Sequence, residues 1–231
     1  MSVLVAVADG VMAITLNRPE KLNAIDTSMA KALLAALQRA DRSSVVRAVI
    51  LRGQGRAFCT GRDVSEPPND EILDLVQQVA GAIVHSSKPV VAGVHGWVVG
   101  AGLEWMLDCD LVVAGRGARF RLPEIEIGVF VTGGITALLP RIAGLARARG
   151  MLLLGEPFGA DQAGQWGLVW AVVDDDQVAG EAERIARRIA SFDPAVLGRF
   201  KRVLDQVGAE SFDEALRTEA RMQTELQRLM P

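Results

Sequence analysis

The stretch KPVVAGVHGWVVGAGLEWMLDCD, Lys88 to Asp110, decides the reading of the chain. Pro89–Val94 is apolar and rich in β-branched residues, which predicts a buried strand. His95-Gly96 and a short apolar link lead to Gly100-Ala101-Gly102, and Leu103–Leu107 has helical composition with Glu104 one turn inside its start. A strand, a glycine-rich turn and a helix N-terminus bring free backbone N–H groups and a positive dipole end to one place. Such a place suits an oxyanion or a phosphate. Glu104 beside it is either a reacting group or a first-turn acid that complements the dipole, and taken alone the second role is the commoner.

Outward from this centre, strand–helix–strand patterns recur. Val3–Val7 and Val11–Leu16 flank Asp9-Gly10, a hairpin signal. Asn17-Arg18-Pro19 ends the second strand, and Asp26 or Thr27 can cap a helix carrying Met29, Leu33, Leu34 and Leu37. Arg47–Arg52 predicts a strand that runs into the turn-rich segment Ala57–Asp63. Pro67–Asp70 is a break, and Glu71–Val84 an amphipathic helix. Leu111–Ala114 and Ala118–Leu122 predict two more strands, the last ending at Pro123-Glu124. Units spanning Arg47–Val94 and Lys88–Ala114 imply parallel strands joined by right-handed crossovers.

Beyond Gly133-Gly134 helical spacing dominates: Ile135–Ile142, Ala146–Leu154, Ala160–Trp166, Val178–Ile189, Ala195–Val207 and Phe212–Leu229, with one further strand at Leu168–Val173. The fold class is α/β, with a core over residues 1–150 and a mostly helical part over 151–231.

Composition excludes several functions. Of 231 residues half are apolar, and 28 acids against 25 bases give a formal charge of -3. No basic stripe is present, so nucleic acid is not an expected partner. No apolar run approaches the roughly 18 residues of a membrane span, and no basic segment precedes the first apolar residues, so no signal peptide is expected. Cys59 and Cys109 lack metal-site spacing and fit a reducing, cytoplasmic setting. No metal is expected.

Motif tests narrow the chemistry further. GxGxxG fails at Trp105 and at Phe58, no Walker lysine follows either glycine patch, and no GxSxG elbow exists. Cys59 with His85, or Cys109 with His95, could form a nucleophile pair, but buried structural cysteines are far commoner. What remains is two strand-end turns, Gly61–Asp63 and Gly100–Gly102, and two carboxylates, Glu104 and Glu124. Each turn can offer a backbone N–H to a carbonyl oxygen that becomes an enolate, and the carboxylates can act as acid and base beside it. Singly, Glu124 reads as a solvated loop acid after Pro123. Asp108 and Asp110 read as braces of the following strand, and Asp174–Asp176 as a cap of the next helix.

Taken jointly, Asn17-Arg18-Pro19 with Asn23-Ala24, AFCTGRD at 57–63, KPVVAGVHGWVVGAGLE at 88–104 and RLPEIEIG at 121–128 occur in one order. The chain thereby resembles the enoyl-CoA hydratase/isomerase (crotonase) superfamily from about residue 3 to near Ser211. The resemblance implies a spiral of repeated ββα units with a helical C-terminal part that builds a homotrimer or a dimer of trimers. It implies an acyl-CoA thioester substrate and no cofactor, CoA being part of the substrate. By position, the backbone N–H groups of Arg62 and Ala101 form the oxyanion hole, and Glu104 and Glu124 are catalytic. Leu22, Ala24, Ala57, Gly61, Asp63, Val64 and Gly100 line the CoA path, with Trp97 and Val129 nearer the acyl group.

In hydratases of this superfamily the two glutamates hold one water for attack at C3 while C2 is protonated, with Glu124 the better match for the C2 proton. Isomerases keep an acid at the position of Glu124 and can dispense with the one at Glu104; the dienoyl isomerase has an extra aspartate where Thr132 stands here. Hydration leads, Δ3-Δ2 isomerisation follows, and a non-catalytic acyl-CoA-binding protein is the third reading. Three departures concern the substrate: Arg62 stands where small residues are usual, Ala101 replaces a glycine, and the 128–134 loop carries the bulky Phe130 without the common proline-glycine pair.

Overall fold

The computed structural model of the chain describes residues 1–67 and 69–229, with side chains described except at 202–203, 205–211, 222 and 225–229. Pro68 of the expected break and Pro231 lie outside the described residues.

Strands β1 (Val3–Ala8) and β2 (Val11–Leu16) form the expected antiparallel hairpin about Asp9-Gly10. Both turn residues have positive φ, 50° and 78°, as a tight two-residue hairpin turn requires. Helix α1 (Thr27–Arg42) starts at Asp26, whose side chain accepts the Met29 N–H at 2.7 Å. Next come β3 (Ala48–Gly53), α2 (Asp70–Val84), β4 (Val90–Val94), β5 (Trp97–Val99), α3 (Ala101–Leu107), β6 (Leu111–Gly115) and β7 (Arg119–Arg121). The rest comprises α4 (Ile135–Ala143), α5 (Leu145–Leu154), β8 (Phe158–Gly159), α6 (Ala160–Gln165), β9 (Ala171–Val173), α7 (Val178–Ala190) and α8 (Pro194–Leu229).

The main sheet runs β1-β2-β3-β4-β6-β9, parallel from β2 onward. A second, three-stranded sheet runs β5-β7-β8. Successive turns of the chain give one strand to each sheet: β4 then β5 before α3, and β6 then β7 before α4. Segment 57–63 joins the small sheet's side in the preceding turn, through a parallel bridge of Cys59 with Val98. This is a spiral of ββα units.

Strand alternation sorts the core into two layers. Val49, Leu51, Ala92, Val94, Val112 and Ala114 pack with α1, α2 and α3, whereas Ala48, Ile50, Val91 and Val113 pack against Val178, Ala182 and Ala186 of α7.

The structure departs from the sequence reading at five places. Trp97–Val99 is a strand rather than a link, since only its middle residue Val98 is buried and three residues give no readable alternation. β8 is two residues long, below what periodicity resolves. The last strand covers only Ala171–Val173, and the helices expected at Ala195–Val207 and Phe212–Leu229 are one helix, α8. Asp174–Asp176 does not cap α7: Asp175 accepts the Gly117 N–H at 2.8 Å and Asp174 pairs with Arg116 at 3.5 Å.

The loops around the future site are tied by Asn23, fully buried and in left-handed backbone with φ 56°. Its amide nitrogen donates to the carbonyls of Gln54, Ala57 and Phe58, and its Oδ1 accepts the Arg18 N–H. Asparagine tolerates this conformation better than most residues. Asn23→Ala therefore costs about 3 kcal/mol, because buried carbonyls lose their donors. Calorimetry will show a thermal midpoint lower by about 6–12 °C. A drop below about 2 °C contradicts the assignment of Asn23 as the tie.

Candidate active site

Two turns meet where the small sheet begins. Segment 57–63 lies between the 23–25 loop and β5: the Ile25 N–H donates to the Gly61 carbonyl and Asp63 N–H to the Ile25 carbonyl, both at 2.8 Å. On its other side the Val99 N–H donates to the Cys59 carbonyl at 3.0 Å. Gly61 then sits against the start of α3, where a side chain's Cβ would come within 2.9 Å of the Val99 carbonyl oxygen and 3.5 Å of Ala101 N. Its φ of 82° independently favours glycine.

This geometry leaves the N–H groups of Arg62 and Ala101 without a hydrogen-bond partner among the described residues. Both residues line one cavity of about 350 Å³. Ala101 is the first residue of α3, so the helix dipole adds to its donor.

Pairing of β5 with β7 explains how residues far apart in sequence converge. Val99 lies opposite Arg121, and the Gly100 N–H donates to the Arg121 carbonyl at 3.0 Å. Glu124, three residues beyond β7, thereby reaches back over Gly100. A Cβ at Gly100 would stand 2.8 Å from Glu124 Oε1, and φ 53° with ψ −131° also disfavours any side chain there.

Glu104 faces the same cavity from α3 and is only 1 % exposed. Its Oε2 accepts the Thr132 N–H at 3.1 Å and the Gly133 N–H. The two amides favour its ionised form, while burial and the charges of Glu124 and Glu219 oppose it more strongly and push its pKa well above the carboxylate range. Burial pushes the Glu124 carboxyl up to about 7, and its Oε2 is buried without a partner among the described residues. Glu124 opposes ionisation of Glu104, and carboxyls so placed titrate as a pair. One turn behind Glu104, Asp108 has both oxygens buried and without a partner among the described residues, and burial raises its pKa well above the ordinary value. Neither aspartate braces the following strand: Asp110 instead accepts the Val90 N–H of β4 and pairs with the Lys201 ammonium.

Of the residues chosen from sequence, Gly61, Arg62, Val64, Gly100, Ala101, Glu104, Glu124 and Val129 line the cavity. Leu22, Ala24, Ala57 and Asp63 do not. They belong to the tied loop pair beside it, where Thr60 Oγ1 donates to the Leu22 carbonyl, Arg18 to the Ala24 carbonyl and Asn23 to the Ala57 carbonyl. Asp63 pairs with Arg18 at 3.0 Å, and hydrogen bonds from Ser65 hold its carboxyl at about 2. Trp97 is not brought to the cavity. It begins β5, two residues or about 7 Å before Val99, and faces a separate depression with Arg116, Arg119 and Phe158.

Residues not chosen from sequence complete the walls: Asn69, Ile72, Leu73 and Val76 from α2, Phe130 and Thr132 from the following loop, and Gln223 from α8. Ile72 and Val76 carried a signal, being four apart on one helix face, but core packing uses the same spacing. The cysteines supply no nucleophile: burial pushes the Cys59 thiol up to about 12, and Cys109 donates to the Trp105 carbonyl. Among the described residues no cluster of His, Cys, Asp and Glu could hold a metal, and no helix is long and apolar enough to cross a membrane.

The spiral of ββα units is the crotonase fold, and it brings two N–H groups, unpartnered among the described residues, and two buried carboxyls to one cavity. The family profile for enoyl-CoA hydratase/isomerase matches residues 6–229, and the chain belongs to that family. It is 37 % identical over 224 residues to 1,2-epoxyphenylacetyl-CoA isomerase of Escherichia coli K12, covering 93 % of this chain and 86 % of that one. It is 35 % identical over 226 residues to a probable enoyl-CoA hydratase of Rhodobacter capsulatus, covering 95 % and 87 %. The crystal structure of an enoyl-CoA hydratase from Mycobacterium avium subsp. paratuberculosis superposes with a TM-score of 0.94 at 33 % identity, over 100 % of this chain and 95 % of that one.

The raised carboxyls give a stability prediction with a definite sign. A carboxyl whose folded pKa lies above its unfolded value binds more protons when folded, so stability falls as pH rises through the interval. For Glu124 the interval runs from 4.5 to about 7. Glutamine does not titrate, so Glu124→Gln gains stability relative to the parent chain between about pH 5 and pH 8. Urea midpoints at the two pH values check this, and parallel curves contradict the raised pKa.

Proposed function

We propose that the chain hydrates the 2,3 double bond of an enoyl-CoA thioester. The observation that carries this is the pair of carboxyls, Glu104 and Glu124, on one cavity with the unpartnered N–H groups of Arg62 and Ala101. Substrate binds with its thioester carbonyl oxygen on those two N–H groups. As water adds at C3, the C2–C3 electrons move toward that oxygen, and each donor is worth roughly 2.7–4 kcal/mol as charge develops. The two carboxyls titrate as a pair and pass one proton between them over the cycle. Glu124, with its unpartnered oxygen, delivers a proton to C2, while Glu104, whose Oε2 accepts two amide N–H groups that favour its ionised form, takes one from the water. Water is thus divided between C3 as hydroxyl and C2 as hydrogen.

The second reading is an isomerase that moves a proton between carbons on the same enolate, with Glu124 as its acid–base. The similarity to a protein named as an isomerase of an epoxy acyl-CoA favours keeping it. No cofactor beyond the CoA of the substrate is invoked. A homotrimer, or a pair of trimers, belongs to the same reading, supported by Val196, Phe200 and Leu204, exposed and apolar at four-residue intervals along α8.

Loss of crotonyl-CoA, followed at the enoyl-thioester absorbance, tests the proposal. Hydration predicts turnover that falls about 10²–10⁴-fold in both Glu104→Gln and Glu124→Gln. Collapse in Glu124→Gln with only partial loss in Glu104→Gln points to the isomerase. Binding of CoA thioesters without turnover of any of them contradicts an enzyme.

A further inference from the structure

Helix α8 turns one buried stripe toward the loop that closes the site. Phe212, Ala215, Glu219 and Gln223 recur at intervals of three and four residues and are all buried. Glu219 accepts the Gly134 N–H at 2.6 Å, the Thr136 N–H at 3.1 Å and the Thr136 hydroxyl at 2.8 Å, occupying the first turn of α4. Gln223 Oε1 accepts the Phe130 N–H at 2.8 Å. Gly134 has φ 82°, and any side chain there would run into the Phe212 ring. Between these anchors at 130 and 134–136, Thr132 and Gly133 direct their N–H groups the other way, onto Oε2 of Glu104. A Cβ at Gly133 would stand 2.7 Å from that oxygen, so turn and carboxylate are in close contact.

We propose that Glu219 is a positioning residue for the reaction, holding the 132–136 turn from behind so that its amides fix Glu104 Oε2 and leave Oε1 to the substrate. This rests on Glu104 being a reacting group. Glu219 itself does not line the cavity; it acts through two backbone amides. A buried carboxylate with three donors is a rigid support, because each lone bond it gives up leaves a buried N–H or hydroxyl unpaired. It has a second effect on the same target. Its negative charge faces Glu104 together with that of Glu124, and both oppose ionisation of Glu104, while Asp108 one turn on is itself raised by the charges of Glu104 and Glu219. The guanidiniums on the cavity wall are otherwise engaged, Arg121 by Glu126 and Arg62 by the Glu66 carbonyl.

Glu219→Gln keeps the volume but turns an amide donor toward at least one backbone N–H and removes the charge. The expected result is a kcat lower by about 10–100-fold, since small misplacements of a reacting group cost that much. KM stays within about threefold, because the oxyanion donors and walls are untouched. Thr136→Val, which removes only the outer hydroxyl bond, keeps kcat within about threefold and controls for folding.

A readout independent of turnover accompanies these kinetics: an isotope-edited infrared titration of the Glu104 carboxyl, assigned by its loss in Glu104→Gln. With a like charge removed, that carboxyl titrates at lower pH in Glu219→Gln than in the parent chain. A variant that unfolds at lower temperature yet keeps the parent kcat and the parent titration overturns the proposal. If the parent chain turns over no enoyl-CoA, the proposed function fails, and the infrared shift alone then decides the positioning role: a shift supports it and its absence overturns it.

Discussion

Two backbone N–H groups without a protein acceptor among the described residues are the constraint that the rest of the molecule serves. A chain normally pairs its buried N–H groups, so leaving Arg62 and Ala101 unpaired side by side needs a scaffold. The spiral supplies one. Segment 57–63 is pinned by Ile25 on one flank and by β5 on the other, which directs the Gly61 carbonyl and Asp63 N–H into the bridge and turns the Arg62 N–H outward. At Ala101 the helix start does the same work, because the first turn of a helix has no carbonyl behind it. Gly61 and Gly100 allow the two turns to approach within contact distance, and side chains at either would block the approach or meet Glu124.

Around those donors the structure gathers acids rather than bases. Glu104, Asp108, Glu124 and Glu219 come from three separate parts of the chain and are all held above the ordinary carboxylate range by burial. Such a cluster lowers stability at neutral pH unless protons are retained. Protons retained at a carboxyl beside a carbonyl are useful chemistry, since general acid catalysis is most effective when the pKa lies near the working pH. Glu104 and Glu124 differ in support: two amides hold Glu104, while Glu124 has an unpartnered oxygen. That difference, more than pKa, underlies the roles proposed for them.

Much of this was legible in the sequence. The strand–turn–helix at 88–107 and the turn at 57–63 stood out because glycine runs after β-branched runs have few other uses. Glu104 and Glu124 stand out in the sequence as the carboxylates beside the two turns, but only the resemblance joins them as a pair, because the β5–β7 pairing that brings them together involves strands of three residues, too short for alternation to appear. Trp97 was misplaced for the same reason: on a strand that short, which face the first residue takes is not readable. Glu219 left no trace. In the run from Thr218 to Gln223 a glutamate reads as solvated surface, and its burial depends on α8 crossing behind α4, a tertiary fact. Asn23 stands in the quoted Asn23-Ala24 pair, but its three hydrogen bonds to the 54–58 segment and the fourth to Arg18 are visible only in three dimensions.

The central claim is that this site stabilises the enolate of a bound thioester and moves a proton at its α-carbon, a step common to hydration and isomerisation. The most direct measurement is exchange of the C2 protons of a saturated analogue, butyryl-CoA, in deuterium oxide, followed by proton NMR. The account predicts enzyme-dependent loss of the C2 signal that is abolished in Glu124→Gln while CoA binding persists. Bound butyryl-CoA whose C2 protons exchange no faster than in buffer would contradict it.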